Sequence, residues 1–82
     1  MLLAGLIEEL NKLKINPQFY SLNEGLKEYA YNIKRTPDNL FAVFYLEPGE
    51  VIQPVIFKTE SDAFIELLNR LKKELSYGVD LS

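Results

Sequence analysis

Two pairs of carboxylates, Glu8/Glu9 and Glu47/Glu50, are the first places in this sequence to look for acid–base chemistry, since neighbouring carboxyls can divide the roles of general acid and base. The first pair falls on an expected helix surface and the second on an expected hairpin turn. Water reaches both, so neither is expected to be catalytic. Ser21, Ser61 and Ser76 have no activating base of the usual kind, because the chain contains no histidine. It has no cysteine either, which removes thiol nucleophiles, zinc-thiolate sites and disulfides. Asp38-Asn39 is too short for a calcium loop. Gly5, Gly25, Gly49 and Gly78 stand apart and build no phosphate-binding loop. No catalytic residue, metal site or cofactor is expected.

The elements that would position these residues follow from periodicity. Leu3, Leu6, Ile7, Leu10 and Leu13 recur at helical spacing opposite Glu8, Glu9, Asn11, Lys12 and Lys14, and Asn16-Pro17 ends that helix. A loop is expected through Ser21–Gly25. Tyr29, Tyr31 and Ile33 alternate with Ala30, Asn32 and Lys34 as in a half-buried strand. Thr36-Pro37-Asp38-Asn39 is turn chemistry, and Leu40 to Leu46 is apolar throughout, as in a central strand. Glu47-Pro48-Gly49-Glu50 is a tight turn into a third strand, Val51 to Phe57, which Pro54 places at a sheet edge. Thr59 or Ser61 caps a second helix with the stripe Phe64, Leu67, Leu68, Leu71 and Leu75; Gly78 stops it, and residues 79–82 are expected to fray. The expected fold class is α+β in the order α-β-β-β-α, a three-stranded antiparallel meander packed against two helices in one domain, residues 1–82.

Register then sorts the sheet into faces. With Arg35 opposite Leu40 and Leu46 opposite Val51, the core face is expected to carry Tyr29, Tyr31, Ile33, Ala42, Phe44, Leu46, Val51 and Val55. The other face would carry Phe41, Val43, Tyr45, Ile52 and Ile56 beside Ala30, Asn32 and Lys34. It is apolar enough either to be covered by loops or a helix, or to pair with a partner or a second copy. The meander also gathers Glu24, Glu28, Glu47 and Glu50 at one end, offset only by Lys27. Such a tip suits either a basic partner or a solvated rim that keeps the protein soluble. Glu24, Glu28, Glu47, Glu50, Phe41 and Tyr45 are therefore the candidate partner-binding residues.

Composition narrows the classes. The 82 residues are 48% hydrophobic and 26% charged, within the range of globular domains. A net charge of −3 argues against coating nucleic acid. The same element order occurs in the double-stranded-RNA-binding domain, whose second helix opens with a phosphate-gripping lysine cluster; Thr59-Glu60-Ser61-Asp62 in that position would repel phosphate. Nucleic-acid binding is not expected. The apolar run Met1–Ile7 lacks a basic flank and ends at Glu8, which fits neither a signal peptide nor a membrane span. A cytoplasmic protein without membrane association is expected.

Three stretches together resemble a known family. Ile15-Asn16-Pro17 through Tyr20-Ser21-Leu22 to Gly25, the second strand running into Glu47-Pro48-Gly49, and Phe57-Lys58-Thr59-Glu60-Ser61-Asp62-Ala63 are similar to small bacterial immunity-type proteins encoded beside polymorphic or contact-dependent toxins. The resemblance implies a non-catalytic protein that neutralises a cognate toxin by direct contact. The chain departs from it in having Phe41-Ala42-Val43-Phe44-Tyr45 for Trp-Glu-Val-Tyr-Tyr, Pro48 for an arginine and Phe64 for a cysteine. The alternative is a self-associating structural or regulatory protein, a homodimer through the open sheet face, or a phage or mobile-element inhibitor.

Overall fold

A computed structural model describes residues 1–82. The chain is α+β, with two helices on one side of a four-stranded mixed sheet. Helix α1 spans Leu3–Lys12, β1 Tyr20–Leu22, β2 Ala30–Arg35, β3 Phe41–Glu47, β4 Glu50–Phe57 and α2 Glu60–Ser76, with a single 3₁₀ turn at Pro17–Phe19. Strands β2, β3 and β4 are the antiparallel meander read from the sequence. The expectation of three strands is corrected by β1, which pairs in parallel with β2 through Tyr20↔Tyr31 and Leu22↔Ile33. Three residues carry no readable alternation, and their pairing is long-range. The connection is also short: residues 23–29 cross the sheet where parallel neighbours usually need about a dozen residues or more.

Both helices end in the same way. The N–H groups of Gly78 and Val79 return to the carbonyls of Leu75 and Glu74, a Schellman motif with Gly78 at φ +83°. In α1 the N–H groups of Lys14 and Ile15 return to Asn11 and Leu10, and Lys14 takes φ +55° with no glycine to mark the site. Of the two candidate caps for α2, Thr59 serves: its Oγ1 accepts from the Asp62 N–H at 3.1 Å. The C-terminal tail does not fray. Leu81 is buried in the core, and its carbonyl accepts from the Asn16 N–H at 2.7 Å.

The core joins Leu6 and Leu10 of α1, Ala63, Phe64, Leu67, Leu68 and Leu71 of α2, and Tyr20, Ile33 and Val43 of the sheet. Phe41, Phe57, Tyr31 and Leu22 pack around it half-buried. The expected α1 stripe narrows, since Leu3 and Ile7 remain exposed. No helix is long and apolar enough to cross a membrane.

The expected division of faces is overturned in β3. Two local insertions cause this. In the first hairpin Thr36 and Leu40 close a three-residue loop in which Asn39 sits at φ +61°, so Arg35 pairs with Phe41 rather than Leu40. In the second, Leu46 does pair with Val51, but a bulge sets Gln53 and Pro54 against Phe44, so Val43 pairs with Val55. Each extra residue exchanges the faces beyond it. Phe41, Val43 and Tyr45 therefore lie on the helix side with Tyr31 and Ile33, while Ala42, Phe44 and Leu46 face away with Asn32. A second apolar face exists: Ile56 lies there as expected, with Ala42, Leu46 and Val51 in place of Phe41, Val43, Tyr45 and Ile52.

The crossover covers part of that second face. Asn32, fully buried, accepts the Lys27 N–H at 2.9 Å and donates to the Lys27 and Ala30 carbonyls at 3.0 and 2.9 Å. Ser21 Oγ donates to the Gly25 carbonyl. These bonds satisfy the polar groups that the crossover turns toward the sheet, and Phe44 and Ala30 are buried on that face.

Candidate functional site

The structure places the six candidate residues in three settings. Glu47 and Glu50 face each other directly across the β3–β4 hairpin. Glu28 precedes Tyr29, whose N–H reaches the Leu46 carbonyl, so it lies at this same end. Glu24 does not. It follows β1, whose parallel direction carries the chain to the Ile33 end of β2, and its charge bears on Tyr20. Burial first and Glu24 second raise the Tyr20 phenol above its usual value. Phe41 also leaves the group: it pairs with Arg35 and Phe57 at the far end of β3, packs on the core, and has the Arg35 guanidinium 5.8 Å from its ring centre. Tyr45 is placed at the Glu47 end, on the helix side of the sheet.

What gathers there is a set of tyrosines among acids. Tyr31 and Tyr45 meet edge to face with ring centres 5.0 Å apart. The Tyr31 hydroxyl donates to Glu74 Oε1 at 2.6 Å. Burial, that bond and the Glu74 charge together hold the Tyr31 phenol far above its ordinary value of 10.0. Tyr45 is raised by burial and then by Glu47, Glu74 and Tyr29. Tyr29 is 59% exposed and sits at φ +57°, a backbone region that costs a residue with a Cβ roughly 1–2 kcal/mol. Four of the five tyrosines, counting Tyr77 near Glu74, thus border one end of the molecule.

Charge at this end is less compensated than the sequence suggests. Lys27, the expected offset, is turned away, with its Nζ donating to the Pro17 and Tyr20 carbonyls at 3.0 Å each. The ion pairs of the molecule are Lys12 with Glu8 and Glu9, and Arg70 with Glu66. None involves Glu28, Glu47, Glu50 or Glu74.

Beside the tyrosines, a groove of about 460 Å³ runs between α2 and the β4 bulge, lined by Gln53, Glu66, Asn69, Arg70, Lys73 and Glu74, with Tyr31 and Tyr77 completing the wall. Sequence reasoning missed it. The one visible signal was the four-residue spacing of Glu66 and Arg70, which the structure pairs at 2.7 Å. No group of three or more Asp, Glu, His or Cys side chains is arranged to hold a metal ion.

No protein-family model matches the chain, and no curated protein or solved structure matches it either.

Proposed function

We propose that the protein is a non-catalytic binding domain whose tyrosine-rich acidic end contacts a basic protein partner, and that it acts as an immunity protein neutralising a cognate bacterial toxin in the cytoplasm. The observation that carries this reading is Tyr29, held exposed on a strained backbone beside the unpaired carboxylates of Glu47 and Glu50. Tyrosine offers a large, rigid, amphipathic contact at small entropic loss. Its ring face also attracts Lys and Arg, and the carboxylates steer a basic surface toward it. Strain retained at an exposed position is a common mark of a site under functional constraint. The test measures association with the protein encoded beside this chain's gene. The Glu47→Lys, Glu50→Lys double variant is expected to slow association about tenfold or more at low salt, with the difference shrinking as salt rises. An unchanged, salt-independent rate would reject the acidic end as the contact.

A second reading is favoured by the exposed Val51 and Ile56 beside Ala42 and Leu46 on the face away from the helices, along the unpaired edge of β4. It is self-association through that face. Sedimentation equilibrium decides it: a monomer at high micromolar concentration removes it.

A further inference from the structure

We propose that the groove between α2 and the β4 bulge is a binding site for a carboxylate of a peptide, with Arg70 as its anchor. The proposal rests on the hydrogen-bond capacity of the groove and is independent of the immunity reading.

Arg70 is held at two corners. Its Nε donates to Glu66 Oε2 at 2.7 Å, and its Nη2 donates to the Gln53 carbonyl at 2.9 Å. That carbonyl belongs to the bulge residue, whose φ of +49° is itself unusual for a side chain with a Cβ. The third corner, Nη1, is buried and has no partner, the only buried side-chain nitrogen or oxygen in the molecule left so. A charged donor buried without an acceptor is unfavourable, and a guanidinium fixed in place matches a planar carboxylate.

The neighbours have complementary vacancies. Both carboxylates of the groove are engaged, Glu66 by Arg70 and Glu74 by the Tyr31 hydroxyl. Lys73 makes neither an ion pair nor a side-chain hydrogen bond. Two cationic donors of the groove, Arg70 Nη1 and Lys73 Nζ, are therefore without an acceptor, while each carboxylate is engaged through one oxygen. Arg70 and Lys73 balance Glu66 and Glu74 in formal charge, so a monoanion is accommodated more readily than a dianion. The volume of about 460 Å³ admits the carboxylate with a residue or two of chain. Because Nη1 is shielded, entry requires a rim side chain to swing aside; the exposed Lys73 and Tyr77, at the C-terminal end of α2, line that rim.

Titration of the ¹⁵N-labelled protein tests this, following the Arg70 Nε–H and Asn69 side-chain amide signals. N-acetyl-glycylglycine as the free acid is expected to shift both saturably in the millimolar range, and its C-terminal amide to leave them unmoved. N-acetyl-aspartate amide reports whether a side-chain carboxylate serves equally. Arg70→Lys, read at the Asn69 side-chain amide, is expected to abolish the response. Should that variant disturb the bulge, Lys73→Gln, a surface change, is expected to weaken binding about two- to fivefold with the rest of the spectrum preserved. No response to either carboxylate, equal response to acid and amide, undiminished binding in Lys73→Gln, or tighter binding of inorganic phosphate would overturn the proposal.

Discussion

At the scale of single residues, the Tyr31–Glu74 pair gives the clearest consequence. The folded Tyr31 phenol is raised above its value of 10.0, so the proton is bound more tightly in the native chain. Its contribution to stability is complete below pH 10.0 and is lost as pH rises from there through the folded value. Tyr31→Phe is expected to lower stability by about 1 kcal/mol at neutral pH and to flatten the alkaline decline, both read from denaturant midpoints across pH. Lys14 gives a prediction of the opposite sign. Its left-handed backbone favours glycine, so Lys14→Gly is expected to stabilise by up to about 1 kcal/mol despite glycine's greater freedom when unfolded. Sequence made Gly78 legible as a helix stop but not Lys14, because the side chain there opposes the conformation that the Schellman bonds impose. Tyr29 was legible as an aromatic in a strand pattern, while its positive φ was not, since it arises from the turn that returns the crossover to the sheet.

At the scale of elements, periodicity read both helices and the three strands of the meander, because each buries one face and repeats at its own spacing. It did not read β1, which is too short to alternate, or the crossover, whose order depends on one side chain. Asn32 makes three hydrogen bonds to the loop and strand around it. Asn32→Ala is expected to cost about 2–4 kcal/mol and to abolish amide-exchange protection at Lys27, whereas protection in α2 falls only with global stability. The faces of β3 were reversed in the sequence reading by single residues, Asn39 in one hairpin and the Gln53-Pro54 step in the other. Pro54 marks an edge strand in the sequence, and a bulge is the other place where a strand tolerates proline. In α2 the apolar stripe matches what is buried. Leu67→Ala, at the centre of the core, is expected to lose about 2–5 kcal/mol in denaturant unfolding.

At the scale of the whole molecule, the helices occupy one sheet face, the crossover part of the other, and the polar ends are left to solvent. Of the six candidate residues, Glu28, Glu47, Glu50 and Tyr45 come to one end, while the parallel β1 carries Glu24 away and the hairpin register sends Phe41 into the core packing. Hairpin topology made the first group legible, because a tight turn fixes which residues meet. The second group depended on a strand and an inserted loop residue that composition does not announce. Tyr29, Tyr31 and Glu74 join the site through tertiary contact alone. This acidic, tyrosine-bearing end is proposed to bind and neutralise a basic partner. Co-expression of the chain with the protein encoded beside its gene, read as growth of the host cell, tests it most directly. The neighbouring protein is expected to arrest growth and the wild-type chain to restore it, whereas the Glu47→Lys, Glu50→Lys variant, folded by circular dichroism, is expected not to. A harmless neighbour, arrest that the wild-type chain fails to relieve, or full protection by the double variant would contradict it.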